Sequence, residues 1–344
     1  MSERDIGIVG RLEEAGIDTD YIPLLLIDNL VWPILLVVFL GFSLVLPRLF
    51  LTSRNVEFLI FSSAALAAIT LAETLCLLSG NFDLSVAATA TFSAVVGAKV
   101  ITLVPDASPI GVSLLGIGVV LATGAAVGLI NGLSIVKIGV NPFLQTLSTL
   151  IIFEGAVLLV SRSTLTQMPD EYFWIGGGDF GPIPFAVTLI VVLYAAFGVL
   201  LKYTRFGRSI YAVGGDEQSA REAGISASRV VLSVYILSGT LAALGGLLLT
   251  GFVGAATTTL ANGTLFPAFA ASIIGGISLF GGRGRVTGAL GGVLLLGTVQ
   301  AGMAMSQIDS FIINTINGVV LLGAIILYTV LEGYRSNLLT SVSE

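Results

Sequence analysis

Apolar residues in this chain neither alternate nor recur on a single helical face; they run on in stretches long enough to cross a bilayer. About 20 apolar residues cover the roughly 30 Å of hydrocarbon. Uncharged runs on that scale lie near 30–46, 56–79, 84–104, 109–137, 142–161, 183–202, 230–253, 264–280, 286–306 and 310–331. Val230–Gly282 has 53 uncharged residues in succession, which suits two spans joined at the polar turn Thr257–Gly263. The pattern predicts an all-α polytopic membrane protein of about ten transmembrane helices. Nine is the alternative count, because short Gly-rich segments admit broken helices that do not fully cross. Residues 1–28 are acidic and hold no long apolar run, so the first span is expected to be a retained helix rather than a secretory signal. The expected organisation is an N-terminal acidic segment over 1–28, a transmembrane domain over 29–331 with a large loop at 203–228, and a tail over 332–344.

Composition agrees with the pattern. Hydrophobic residues make up 55% of the 344 and charged residues 10%, against about 25% charged in soluble domains. So few charges cannot coat a chain of this size against water. With an even number of spans both termini share a side. Placing them inside puts eleven Lys and Arg residues in inner segments and four in outer segments and the third span, which favours a cytoplasmic N-terminus in a multi-pass protein of the cell membrane. The net charge of −6 is odd for such a protein, but 1–28 alone carries −5 of it.

Several mechanisms are excluded by what is missing. There is no His, Cys76 is the sole Cys, and none of Lys99, Lys137 and Lys202 sits in a Gly-x-x-x-x-Gly-Lys-Ser/Thr run. The chain is therefore expected to be no enzyme, to hold no metal or cofactor, and to cradle no nucleotide phosphate itself. Nothing points to nucleic acid.

The inner loop 203–228 departs from the other connections. Gly214-Gly215 reads as a turn, Asp216 as a helix N-cap, Glu217 and Arg221 stand four apart in the favourable order, and Gly224 sits where a left-handed residue ends a helix. The prediction is a two-turn helix with small residues at Ala220 and Ala223. A solvated loop is one reading of it; docking into a groove on a cytoplasmic partner is the other.

This run, Gly207 to Ile225, resembles the coupling-loop signature of ABC importer permeases of the ribose/xylose/galactose (monosaccharide) class. Three other stretches agree in order: Gly80-Asn-Phe-Asp-Leu-Ser-Val86; Gly128-Leu-Ile-Asn-Gly132 with Asn141-Pro-Phe-Leu-Gln-Thr-Leu147; and Leu265–Gly297, with Gly275-Gly276 and Gly281-Gly282-Arg283-Gly284-Arg285. Together they cover roughly residues 50–331. The sequence departs from the family pattern at Asn81, where Gly is frequent, and at Ala87, where Gly follows the Val. The resemblance implies a permease subunit translocating a monosaccharide such as glucose, ribose or xylose. Its implied partners are cytoplasmic ABC ATPase subunits, a second permease subunit (identical or homologous) and an extracytoplasmic solute-binding protein. Gly215, Asp216, Glu217, Ala220, Arg221, Ala223 and Gly224 would then couple the ATPase to the spans. Branched-chain amino acids, nucleosides or other small polar solutes are alternative cargoes, and an ion-coupled secondary transporter is an alternative class.

Glycine is abundant, with 16 between Gly239 and Gly302. Close helix packing accounts for most of these, while Gly80, Asn81, Gly275, Gly276, Gly281 and Gly282 are expected to be break or hinge positions. Spans 2–5 and 7–10 have opposite topology and form a predicted inverted repeat, with a faint echo between Asn141-Pro-Phe143 and Asp309-Ser-Phe311. Ionisable residues within spans are costly and face an interior; Glu73, Asp83, Lys99 and Glu154 qualify. A Glu–Lys pair, or protonated carboxyls that satisfy one another, is one reading. Hydroxyl recognition along a pathway is the other, with Asp83, Asn131, Asn141, Gln145, Glu154 and Asn314 as candidates and Asn262 and Asn317 beside them. In the outer loop 162–182, Trp174 is read as a headgroup anchor or as a docking edge, next to a turn at Gly176-Gly177-Gly178.

Overall fold

A computed structural model describes residues 29–104, 108–181, 183–306, 308–309, 312–313, 315–323, 325–326 and 329–330. The acidic segment 1–28, the tail 332–344 and Asn314 lie outside the described residues.

The chain is helical nearly throughout. In order, α1 spans Val31–Val45, α2 Ser53–Leu78, α3 Val86–Thr102, α4 Pro109–Leu133, α5 Pro142–Val160, α6 Asp170–Gly177, α7 Phe185–Tyr203, α8 Arg205–Gly215, α9 Glu217–Glu222, α10 Ala227–Val253, α11 Leu265–Ile274 and α12 Val286–Met305. Helical residues follow between 312 and 330. A two-residue hairpin, β1 (Asp179–Phe180) with β2 (Ile183–Pro184), joins α6 to α7.

Six of these helices are long and apolar enough to cross a membrane: α2, α4 with its π-helical extension Ser134–Ile138, α5, α7, α10 and α12. Three expected spans are shorter: α1, α3 and, at ten residues, α11. The chain is a polytopic all-α membrane protein. Its interior is built on α2 and α10, and α5 and α7 are peripheral.

Local sequence explains the ends. Ser108 and Asn141 cap α4 and α5 ahead of Pro109 and Pro142, where a missing N–H costs nothing. Gly139 and Gly254 end the Ser134–Ile138 turn and α10 in the left-handed region. Where α4 crosses α10, a Cβ on Gly128 would lie 2.8 Å from the Tyr235 carbonyl carbon and 2.9 Å from Ile236 Cα. Gly124 and Gly239 meet backbone to backbone one turn away. This is the close approach expected of small residues in membranes, where helices gain no hydrophobic drive toward one another.

Candidate functional site

The loop 203–228 is more ordered than its sequence indicated. Thr204 caps α8 by accepting from the Gly207 N–H at 3.0 Å. Ile210 and Val213 are buried and Phe206 is packed against them; that spacing of four and then three puts all three on one face of a helix. The expected turn at Gly214-Gly215 is instead the last part of α8, because this apolar face holds the helix on the bundle as far as the second Gly. The two-turn helix α9 then forms as expected. Asp216 accepts from the Ser219 N–H at 2.5 Å, and Glu217 pairs with Arg221 on the exposed face. That hydrogen bond, at a fully exposed position, holds the Asp216 carboxyl below its ordinary range. At the other end Gly224, φ +81°, donates to Arg221 O, and Ile225 donates to Ala220 O. These are the two bonds of a Schellman close. Ala220 is buried against the bundle while Ala223 is exposed, so only the second presents its methyl outward.

Two interruptions meet beneath α8. The chain leaves α2 at Ser79 and resumes as α3 at Val86; it leaves α11 at Gly275 and resumes as α12 at Val286. Gly80, Gly276, Gly281 and Gly282 all adopt positive φ, which an L side chain resists. The Gly282 N–H donates to the Leu78 carbonyl at 3.0 Å, linking the two breaks. Gly214 closes the junction: a Cβ there would fall 2.7 Å from Gly282 N and 2.9 Å from the Leu78 carbonyl carbon. Tyr211, one turn earlier on α8, donates its hydroxyl to Gly284 O at 2.9 Å, and burial raises its pKa. Of the expected break positions, Gly80, Gly281 and Gly282 thus converge on α8. Gly275 packs backbone to backbone on Gly288 of α12, and Asn81 binds back to Ser79 through its amide. Sequence reasoning took Gly214 for part of a turn and gave Tyr211 no role, because their significance lies in contacts about 70 and 130 residues away in the chain.

The first break also organises the polar residues. Asp83 accepts from the Ser85 N–H and hydroxyl on one oxygen and from Ser238 on the other. The Asn131 amide donates to Ser85 Oγ at 3.0 Å, and its oxygen accepts from Thr149 at 2.6 Å and from Gln145 at 3.3 Å. Asp83, Asn131 and Gln145 are therefore one network between α3, α4, α5 and α10. Glu73 lies beside it, with Oε1 3.5 Å from the Asp83 N–H and Oε2 buried without a hydrogen-bond partner among the described residues. The Glu–Lys alternative does not fit this geometry, since Lys99 is in the last turn of α3, about 20 Å of helix from Asp83 at 1.5 Å per residue. Asn141 stands apart as the exposed cap of α5, accepting from the Phe143 and Leu144 N–H groups.

Glu154 belongs elsewhere. It is exposed on α5 and lines a cavity of about 220 Å³ with Thr91, Thr258, Thr259 and Asn262. Across Asn262 a second cavity of about 470 Å³ lies between α2, α12 and the last helical residues. Near these cavities Leu165 and Ala256 exchange backbone hydrogen bonds. The outer helix α6 lies on α10 through Gly176, so Gly176-Gly177 ends a helix rather than making a turn, and the Trp174 ring packs 4.6 Å from that of Phe185.

Comparison with known proteins adds the following. Residues 55–330 match the family described as branched-chain amino acid transport system / permease component. The chain is 32% identical over 305 residues to the L-arabinose ABC transporter permease protein AraH of Azospirillum brasilense, covering 88% of this chain and 87% of that protein. It is 35% identical to the ribose import permease protein RbsC of Bacillus subtilis (strain 168), over 81% of this chain and 85% of the relative. It is 33% identical to the D-allose transport system permease protein AlsC of Escherichia coli (strain K12), over 86% and 89%. No solved structure matches it significantly.

Proposed function

We infer, for a chain that belongs to the branched-chain amino acid transport system / permease component family, that its α8–α9 unit receives an ATPase and its spans pass a sugar. The protein is a membrane-embedded permease subunit of a sugar ABC importer, and its family implies ATPase and binding-protein partners. The cargo is a monosaccharide of the pentose or hexose type, on the pattern of relatives named for ribose, L-arabinose and D-allose. Two ATPase subunits act on a core of two permeases, and an extracytoplasmic binding protein delivers the sugar.

The observation that carries this reading is the glycine junction. Ala223, Glu217 and Arg221 face outward on α9, at the end of the molecule that charge distribution assigns to the cytoplasm. Gly214 and Tyr211, rigidly connected to them through α8, engage the breaks at 79–85 and 275–285. An ATPase that pulls or tilts α9 therefore acts on two discontinuous spans at once. Packed elements of this kind switch between discrete arrangements rather than deforming smoothly, so the push biases inward against outward states. The network at Asp83, Asn131 and Gln145 sits directly behind the first break and is the expected inner part of the pathway.

Reconstitution into proteoliposomes with the cognate ATPase and binding protein tests the reading. ATP-dependent uptake of labelled ribose, arabinose, xylose or allose is expected, unaffected by excess leucine. Uptake that needs no ATPase and follows a proton or sodium gradient, or that leucine abolishes, overturns it.

A further inference from the structure

Under the inverted repeat expected from the sequence, the Asp83 network of the first half has its counterpart near the 470 Å³ cavity of the second. The echo between Asn141 and Asp309 sets an offset of 168 residues; carried along the chain, it places Asn317 on Thr149 and Gln300 one residue past the position matching Asn131. Asn317 and Gln300 both line the cavity, with Asn262 from the turn after α10, as the residues after α2 supply Asp83. The two groups lie at successive levels along α3: Ser85 precedes its first residue, and within two turns Thr91 accepts a hydrogen bond from the N–H of Ala261, next to Asn262.

Their states differ. At the first level every polar group of Asp83, Ser85, Asn131 and Thr149 that the network uses is bonded to another protein group. At the second level the polar residues face open space, and the described structure gives the side chains of Asn262, Gln300 and Asn317 no hydrogen bond to protein. The cavity is within the range of about 300–1000 Å³ typical of small-molecule sites. Its walls combine amides with the hydroxyls of Ser62 and Thr264 and the ring of Phe58, and none of the described lining residues is charged. Amides and hydroxyls both donate and accept, which matches a ligand whose every hydroxyl does the same. A zwitterionic amino acid would bring two full charges into walls without a counter-charge, a costly transfer.

We propose that this cavity is an outward-facing binding station for a neutral, polyhydroxylated ligand of monosaccharide size, with Asn262, Gln300 and Asn317 as its hydroxyl-reading residues. The inner network is its closed counterpart, whose internal bonds the ligand's hydroxyls replace when the halves exchange states. The proposal rests on the monosaccharide reading given above.

Two measurements on the full reconstituted complex test it. Gln300→Met and Asn317→Leu keep volume and remove hydrogen bonding; each should lower sugar uptake about two- to tenfold at subsaturating sugar. Separately, Ser62→Cys introduces a thiol into a chain whose native Cys76 is fully buried. A membrane-impermeant maleimide applied from outside should label it, and ribose-loaded binding protein should slow the labelling. If the wild-type complex imports sugars but both substitutions leave uptake unchanged and the thiol introduced by Ser62→Cys is unprotected, the station is refuted and the importer reading stands. If the wild-type complex imports no monosaccharide, the importer reading itself fails.

Discussion

Gly214→Ala is the most discriminating single change in this protein, because its neighbour provides the control. At Gly214 the new methyl would sit 2.7 Å from Gly282 N and 2.9 Å from the Leu78 carbonyl carbon, closer still to the Leu78 oxygen. Ordinary contact starts at 3.4 Å, so the Gly282 backbone must retreat by about 0.7 Å. No flexible side chain is available to yield; every atom met is backbone, and the displaced group is the N–H that bonds Leu78. Overpacking of this kind costs about 1–3 kcal/mol. Expressed as a bias on a two-state equilibrium, that is roughly 5–150-fold. At Gly215 a Cβ meets nothing within 4 Å, and Gly215 has no positive φ. ATP-driven sugar uptake by proteoliposomes should fall at least fivefold for Gly214→Ala and stay within about twofold of wild type for Gly215→Ala. Melting of the purified proteins, followed by tryptophan fluorescence, should be lowered for the first only. If the two variants melt together and transport alike, the junction does not exist as described and the coupling argument built on it falls.

Tyr211→Phe removes the hydroxyl that Gly284 O accepts, a neutral bond of about 0.5–1.5 kcal/mol net; sugar moved per ATP hydrolysed should drop while ATPase binding is retained. Gly128→Ala drives a methyl into the α10 backbone and should cost about 1–3 kcal/mol, read as a lowered melting temperature. Gly118→Ala, with open space around it, should instead stabilise by up to about 1 kcal/mol through helix propensity. For Asp216 the folded pKa lies below the unfolded one because the carboxylate accepts from Ser219. Its cap therefore contributes fully above the unfolded value of about 3.9 and is lost as pH falls through the lower, folded value. Hydrogen exchange across 216–223, corrected for intrinsic rate, should accelerate only in that acid range, and Asp216→Asn should remove the pH dependence.

What the sequence made legible was local. Uncharged length located the spans, since a bilayer imposes its own ruler. Asp216, Glu217, Arg221 and Gly224 fixed α9 through caps and an i,i+4 pair, all within one nine-residue window. Even the shortness of α11 was foreshadowed by the glycines that follow it. The amphipathic face of α8 was equally local, but the Gly214-Gly215 pair read as a turn, and a Gly pair weighs against helix unless packing overrides it. Asp83, Asn131 and Gln145 were chosen for their chemistry, and the fold joins them; Asn141 and Glu154 were chosen on the same grounds and lie elsewhere. Composition alone does not separate a capping Asn from a networked one, because the difference is set by which helix crosses behind it.

Glycine sharpens that point. At Gly118 a Cβ meets open space, at Gly128 it meets a neighbouring helix, and at Gly214 it meets two broken ones. The residue type is the same, and its physical role changes with what lies within 4 Å. A Gly whose Cβ would touch a continuous helix sets a fixed distance between two rods, and enlarging it shifts stability. A Gly whose Cβ would touch the ends of interrupted helices sets the relation between segments that have freedom to move, and enlarging it shifts a conformational equilibrium in addition to stability. Gly128→Ala and Gly214→Ala should therefore differ in kind as well as size: the first should lower melting temperature with turnover per folded molecule preserved, the second should lose turnover beyond any loss of folded protein. Uptake normalised to the folded fraction separates the two, and equal normalised uptake in both variants would place Gly214 among the packing glycines.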